Sequence, residues 1–334
     1  MKKPTRRPLA EQVIVITGAS SGIGLVTAKL AAARGARVLL VARSGDALAA
    51  AVREIEAAGG VADHAVADVG DRAQVEAAAA KAIARFGRID TWVNNAGVSI
   101  YARLVDTPDD EHARMMQTNY FGTVNGCLVA VEHMRASGGA LISLGSIGSD
   151  VSTPILSAYS ATKFAVKAYV SALRTELGDA GVPIAVTLIK PSGVATPIAE
   201  RSANHVEGGA RIPMPLYDPE VVAHAILDAA ENVRRDVTVG GLGRATVLIG
   251  THFPQLLDAI GRVTEAVLID RKRAPVHANA VSSPLPAGHE RSSTQTGRGF
   301  SLYTAAKRHP WALRAATLTA ALAVGGLIAS KRNR

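Results

Sequence analysis

Residues 13–24 read V-I-V-I-T-G-A-S-S-G-I-G, and an alanine-rich apolar run continues to Arg34. Four consecutive β-branched residues with no polar break predict a short strand buried on both faces. Glycines follow at Gly18, Gly22 and Gly24. They let the chain turn sharply and bring backbone N–H groups close to a ligand at a helix N-terminus. Strand, glycine-rich turn and helix in that order point to the pyrophosphate of a nucleotide. The spacing is G-x-x-x-G-x-G, which departs from the G-x-G-x-x-G dinucleotide fingerprint.

The same alternation continues along the chain. Strands are expected over 37–41, 61–67, 89–93, 140–145, 182–189 and 236–239, and helices over 47–57, 71–86, 109–136, from Tyr159 onward, and over 221–231. This predicts an α/β fold: a Rossmann-type, doubly wound parallel sheet of about seven strands flanked by helices, with a C-terminal helical extension. Ligands of such sheets bind beyond the carboxyl ends of the strands. Gly18, Arg43, Asp68, Asn94, Ser146 and Pro191 each follow an expected strand. At Ala42-Arg43 there is no carboxylate to accept from a ribose 2′-hydroxyl, and the guanidinium suits a 2′-phosphate. NADP(H) is therefore preferred as cofactor, with NAD(H) left open. Asn119 is a poor residue for the middle of a helix, so it marks either a break or a site.

Further on, Y-S-A-T-K spans Tyr159 to Lys163. Residues four apart share one helix face, which sets an ammonium beside a phenol. A free phenol titrates near pH ~10, and a fixed positive charge favours its phenolate. The pair can then serve as a general acid/base, although the same spacing also decorates ordinary helices.

Composition narrows the function classes. The net charge is +9, yet eleven Lys/Arg against one acid, Glu290, lie from Arg271 onward, leaving the first 270 residues at −1. That distribution does not describe a nucleic-acid-binding body. The single cysteine, Cys127, cannot form an internal disulfide, and no Cys/His spacing suits a structural metal. Residues 1–10 are basic without an apolar core, unlike a secretory signal.

The ordered set of T-G-A-S-S-G-I-G at Thr17, D-V at Asp68, N-N-A-G at Asn94, Asn119, Ser146, Y-S-A-T-K at Tyr159 and P-S-G-V-A-T at Pro191 resembles the short-chain dehydrogenase/reductase family over roughly residues 10–245. The resemblance implies a proton-donating or -accepting Tyr159 and a Lys163 that lowers the tyrosine pKa and holds the nicotinamide ribose. It implies a carbonyl-orienting Ser146, and an Asn119 that holds a relay water. It also implies that Gly18, Ser20, Ser21, Gly22, Ile23 and Gly24 line the cofactor phosphates and ribose. Asp68 and Val69 would flank adenine, Asn95 the adenosine ribose, and Thr196 the nicotinamide amide. Ala96, Gly97, Pro191, Gly193 and Val194 complete the implied cofactor set. Ser192 departs from the family's usual glycine after Pro191, which puts the local backbone shape in question.

The implied activity is interconversion of a ketone or aldehyde with an alcohol. Ile198, Ile212, Met214, Leu216 and Tyr217, with Tyr101, Val151 and Ile155, suggest either an apolar pocket and a lipophilic substrate or simply the packing of a covering segment onto the core. The expected domains are the N-terminal segment 1–10, a catalytic body over 11–270 including helical stretches near 252–268, a flexible basic linker over 271–305, and a membrane helix over 306–334. Trp311 to Ser330 is long enough to cross a bilayer, and Lys/Arg flank it. The catalytic domain is then expected at a membrane, on its cytoplasmic side, acting on a small molecule and not on nucleic acid; homo-oligomerisation stays open. Two rival readings are an NADP(H)-binding sensor or scaffold with little turnover, and a soluble NAD-linked dehydrogenase.

Overall fold

The computed structural model describes residues 6–261, 264–276, 278–285 and 288–308. Their strands are β1 (Val13–Thr17), β2 (Arg37–Ala42), β3 (Val61–Val66), β4 (Thr91–Asn94), β5 (Ile100–Tyr101), β6 (Gly139–Leu144), β7 (Ile184–Pro191), β8 (Ala203–Asn204), β9 (Gly209–Ala210), β10 (Asp236–Val239) and β11 (Ile269–Asp270). Seven of these form one parallel sheet in the order β10-β7-β6-β4-β1-β2-β3. The two-residue strands pair β5 with β8, and β11 antiparallel with β9.

Alternate residues of the central strands face opposite layers. Ile14, Ile16, Val38 and Leu40 pack on one side with α1 (Gly22–Ala33), α2 (Gly45–Ala57) and, at the far end, α8 (Pro219–Glu231). Val13, Val15, Leu39 and Val41 pack on the other side with α3 (Arg72–Phe86), α5 (Gly122–Met134) and α6 (Ser157–Asp179). Burial on both faces explains why these strands read as unbroken apolar runs rather than alternating ones. Each fully buried Ile, Leu or Val contributes on the order of 2 kcal/mol through removal from water. The chain leaves β1 toward β2 and β3, then crosses to β4 on the other side of β1. That reversal opens a crevice at the carboxyl ends of β1 and β4.

Two local expectations change. The helix expected over 109–136 is three pieces: α4 (Asp109–Met116), a π-helical turn over Gln117–Phe121, and α5. Asn119 sits inside the π turn, whose extra residue turns its side chain toward the sheet edge. After β10 the chain forms α9 (Gly241–His252), α10 (Pro254–Gly261) and α11 (Thr264–Leu268). The start of α9 was hidden in the sequence because Gly241 and Gly243 are weak helix formers. Packing selects Gly243, where a Cβ would stand 2.6 Å from Ser192 Cβ.

Residues expected to act as a linker lie along the body, and the chain then forms the short helix α12 (Leu302–Arg308). No helix among the described residues is long and apolar enough to cross a membrane. The expected span, Trp311 to Ser330, lies outside the described residues.

Candidate active site

The glycine-rich turn is built as one block with the turn that follows β4. Thr17 Oγ1 accepts from Asn95 N (3.0 Å) and Ala96 N (3.1 Å). Asn95 Nδ2 donates back to Thr17 O (2.9 Å) and Gly18 O (3.2 Å). Gly18 adopts φ +65°, and a Cβ there would lie 2.6 Å from Ala96 Cα. A Cβ on Gly24 would collide with the Gly18 carbonyl. These positions require glycine for conformation and for close approach. Ser21, at the head of α1, makes no side-chain capping bond.

Arg43 and Asp68 stand at the ends of β2 and β3. The Arg43 guanidinium donates to the carbonyls of Ala280 and Val281, the latter at 3.5 Å. Burial pushes its pKa down, and the Asp68 charge partly offsets this. Burial acts to raise the Asp68 carboxyl. The Arg114 ion pair, the Gly70 N–H at 2.9 Å and the Arg43 charge outweigh it and hold Asp68 below the usual carboxylate range.

Ser146, Tyr159 and Lys163 meet at the carboxyl end of β6. Ser146 caps a 3₁₀ turn, with its Oγ accepting from Gly148 N at 3.0 Å. Its side chain also acts on the Tyr159 phenol, against the effect of burial. Lys163 Nζ donates to Leu144 O at 2.8 Å and lies 5.7 Å from the centre of the Tyr159 ring. Asn119 is fully buried: its Oδ1 accepts from Val98 N (2.8 Å), and its Nδ2 donates to Val98 O (2.9 Å) and Thr162 Oγ1 (3.1 Å). A Cβ on Gly97 would lie 3.4 Å from Asn119 Oδ1 and 3.7 Å from Lys163 Nζ, in ordinary contact with both.

The electrostatics of this trio differ from the sequence expectation. Burial pushes the Tyr159 phenol up to about 12, with the neighbouring Ser146 side chain acting in the opposite direction. Burial likewise brings the Lys163 ammonium down to about 8. Helical spacing and the family resemblance both set the expectation that Lys163 would lower the tyrosine. Desolvation of both groups is the larger effect in the folded chain.

All the expected site residues except Gly24 and Asn119 line one cavity of about 830 Å³. Gly24 instead supports the turn from beneath, and Asn119 fixes the floor. Ile198, Ile212, Met214, Val151 and Tyr101 line the cavity as expected. Leu216 and Tyr217 do not; they are packed into the body. Ile155 also turns away, into a cluster with Tyr101, Ala199, Leu268 and Ile269, at the unusual φ of +69°. Ser192 is accommodated by donating from its Oγ to Val239 O at 2.9 Å, beneath Gly240 and Gly243. The cavity residues that sequence reading missed include Leu242, Leu257 and Ile260 of the extension, and Ala280, Pro284 and Leu285 beyond it. The apolar spacing of 256, 257 and 260 was a usable signal for the first group; the second had none.

Residues 12–207 match the short chain dehydrogenase family, and the chain belongs to it. The oxidoreductase YxnA of Bacillus subtilis (strain 168) is 39% identical over 332 residues, covering 97% of this chain and 90% of that protein. Dehydrogenase/reductase SDR family member 7B of Danio rerio is 33% identical over 267 residues, covering 75% of this chain and 85% of that protein. Among solved structures, a short chain dehydrogenase/reductase from Burkholderia phymatum in complex with NAD superposes with a TM-score of 0.67 at 26% identity, covering 77% of this chain and 97% of its own. An alcohol dehydrogenase from the archaeon Thermococcus sibiricus, complexed with 5-hydroxy-NADP, superposes with a TM-score of 0.60 at 26% identity, covering 68% and 95%. The protein is thus an oxidoreductase of this family.

Proposed function

We propose that the protein interconverts a lipophilic ketone or aldehyde and its alcohol, with NADP(H) preferred and with Tyr159 as general acid/base. The carrying observation is that Ser146, Tyr159 and Lys163 line one large cavity together, with the Lys163 ammonium 5.7 Å from the centre of the Tyr159 ring. The residues fit a dinucleotide. The close approach at Gly18 and Gly24 holds the glycine-rich turn tight beside the cavity, and Arg43 supplies a cation where a 2′-phosphate would lie. Ser20, Ser21, Gly22 and Ile23 would line the phosphates, Asp68 and Val69 the adenine, and Pro191, Gly193, Val194 and Thr196 the nicotinamide end. A bound nicotinamide supplies or accepts the hydride.

In reduction, the Tyr159 hydroxyl donates its proton to the carbonyl oxygen while Ser146 Oγ orients that oxygen. Lys163, charged at neutral pH, stabilises the phenolate left behind. Asn119 ties Val98 to Thr162 on the Tyr159 helix and keeps the geometry fixed. Apolar walls from Val151, Ile212, Met214, Leu242, Leu257 and Ile260 favour a lipophilic substrate. Membrane attachment through Trp311–Ser330 is proposed from the sequence, and full-length protein staying in the supernatant of a membrane fractionation would remove it.

The test is a fluorescence titration of the intact protein with NADPH and with NADH, followed by a panel of apolar ketones. Tighter NADPH binding and oxidation on the panel are expected. Tighter NADH binding would overturn the role given to Arg43. Binding without turnover on any carbonyl would favour the sensor reading.

A further inference from the structure

The chain beyond the extension helices returns across the crevice in two stretches, 279–285 and 288–298, outside the part that the family model matches. The first stretch meets the adenosine end. Val281 is fully buried against Val98, Ile100 and Met115, which anchors it. Ala280 accepts from the Arg43 guanidinium and donates its N–H to Arg201 O at 2.9 Å. Arg201 in turn donates to Leu285 O at 3.1 Å. Two guanidiniums on the cavity wall are thus met by neutral main-chain carbonyls.

The second stretch crosses the phosphate turn. Gly288 is pressed onto Ser20, and a Cβ there would lie 2.8 Å from Ser21 Cβ, so only glycine fits. Gly22 N, in the first turn of α1, donates to His289 O at 3.0 Å. The stretch then joins the segment that covers the substrate side. Glu200 accepts from Ser293 N (3.0 Å) and Ser293 Oγ (2.9 Å). Gln295 and the Ile212 backbone exchange two hydrogen bonds of 2.8 and 2.9 Å. Tyr217 bridges Val194 on one side and Arg298 on the other.

We propose that residues 288–298 are a strap belonging to the cofactor site: it closes over the bound dinucleotide, ties the phosphate turn to the substrate-covering segment, and must open for cofactor exchange. This rests on the dinucleotide reading given above. The cavity is lined by Ala280, Pro284 and Leu285 of the first stretch together with Arg43, Ser20 and Gly22, and the strap borders it by resting on Ser20 and Gly22. The strap is held almost wholly by hydrogen bonds and ion pairs to the surface, the kind of attachment that opens locally without global unfolding. Because one strap holds both the phosphate turn and Ile212, release of cofactor and loosening of the substrate cover are the same event.

The test uses the intact protein. NADPH dissociation is followed by stopped-flow displacement in the natural sequence and in a Glu200→Gln, Gln295→Ala double variant, which removes strap bonds and leaves the phosphate turn untouched. Release about tenfold faster or more is expected for the variant. In parallel, tryptic cleavage after Arg291 and Arg298 is timed with and without NADPH, a readout that needs no variant; the nucleotide should slow both cuts. Nucleotide bound with unchanged release and unchanged cleavage overturns the strap alone. No binding of NADPH or NADH overturns the strap and the functional reading together.

Discussion

The β1–α1–β2 unit over residues 13–42 and the strap over 288–298 both meet at the glycine-rich turn, yet they are held by opposite means. In the first, Val13, Ile14, Val15, Ile16, Val38, Leu39 and Leu40 are wholly buried, and neighbouring strands share them in exact register across five residue pairs. In the second, Arg291, Ser293, Thr296 and Arg298 are exposed, and cohesion comes from individual polar bonds. Shared apolar burial makes a unit that melts with the whole domain, whereas separate polar bonds make one that opens by itself. The difference places rigidity where hydride geometry needs it and mobility where a cofactor must pass.

The most drastic way to break the rigid side is chemical. Tyr159→Phe removes the proton donor without altering the fold, and turnover should fall by about 10²–10⁴-fold while NADPH affinity stays within about twofold. Retained turnover in a steady-state assay would remove Tyr159 from its role. A pair of glycine substitutions sharpens the contrast next. Gly24→Ala drives a methyl into the Gly18 carbonyl and should cost about 2–3 kcal/mol of global stability in a urea melt. Gly288→Ala meets the Ser20 carbonyl more closely still, but the strap can move away. Its global stability should change by less than about 0.5 kcal/mol while tryptic cleavage after Arg291 and Arg298 accelerates. Equal melting shifts would erase the distinction between the two regions.

The smallest effect is a pH profile. Lys163, lowered to about 8, is charged below that pH and neutral above it. Tyr159, raised to about 12, keeps its proton over the same range. Reduction measured as kcat/KM should therefore be level from about pH 6 to 7.5, then decline by up to about tenfold per pH unit above 8 as the charge facing the nascent phenolate is lost. A profile that rises through pH 8 would mean that Lys163 acts otherwise.

This contrast also explains what could be read from the sequence. The sheet was legible because V-I-V-I-T and R-V-L-L-V are apolar runs whose only stable place is between two helical layers. The convergence of Gly18, Arg43, Asp68, Ser146 and Pro191 followed from strand ends alone, whereas Asn95 came from the family resemblance. The π turn over 117–121 was not legible, since no glycine or proline marks it and Asn119 was its only trace. Nor was the strap: a Ser/Pro/Gly-rich stretch has no apolar period, and its place depends on single partners such as Glu200 and Ile212, some 80–90 residues distant. The acid–base setting of Tyr159 and Lys163 escaped for a related reason, because burial is a property of the closed fold and not of four-residue spacing.

Cys127 has a practical consequence. It is the chain's only cysteine, fully buried, with its Sγ accepting from Asn94 Nδ2 at 3.3 Å and its thiol pushed up to about 12 by burial. The protein as it stands is therefore silent toward maleimide dyes and spin labels. One cysteine introduced at the exposed Thr296 would become the sole labelling point, giving a single-site spectroscopic reporter on the moving part of the molecule against a background that needs no thiol removed.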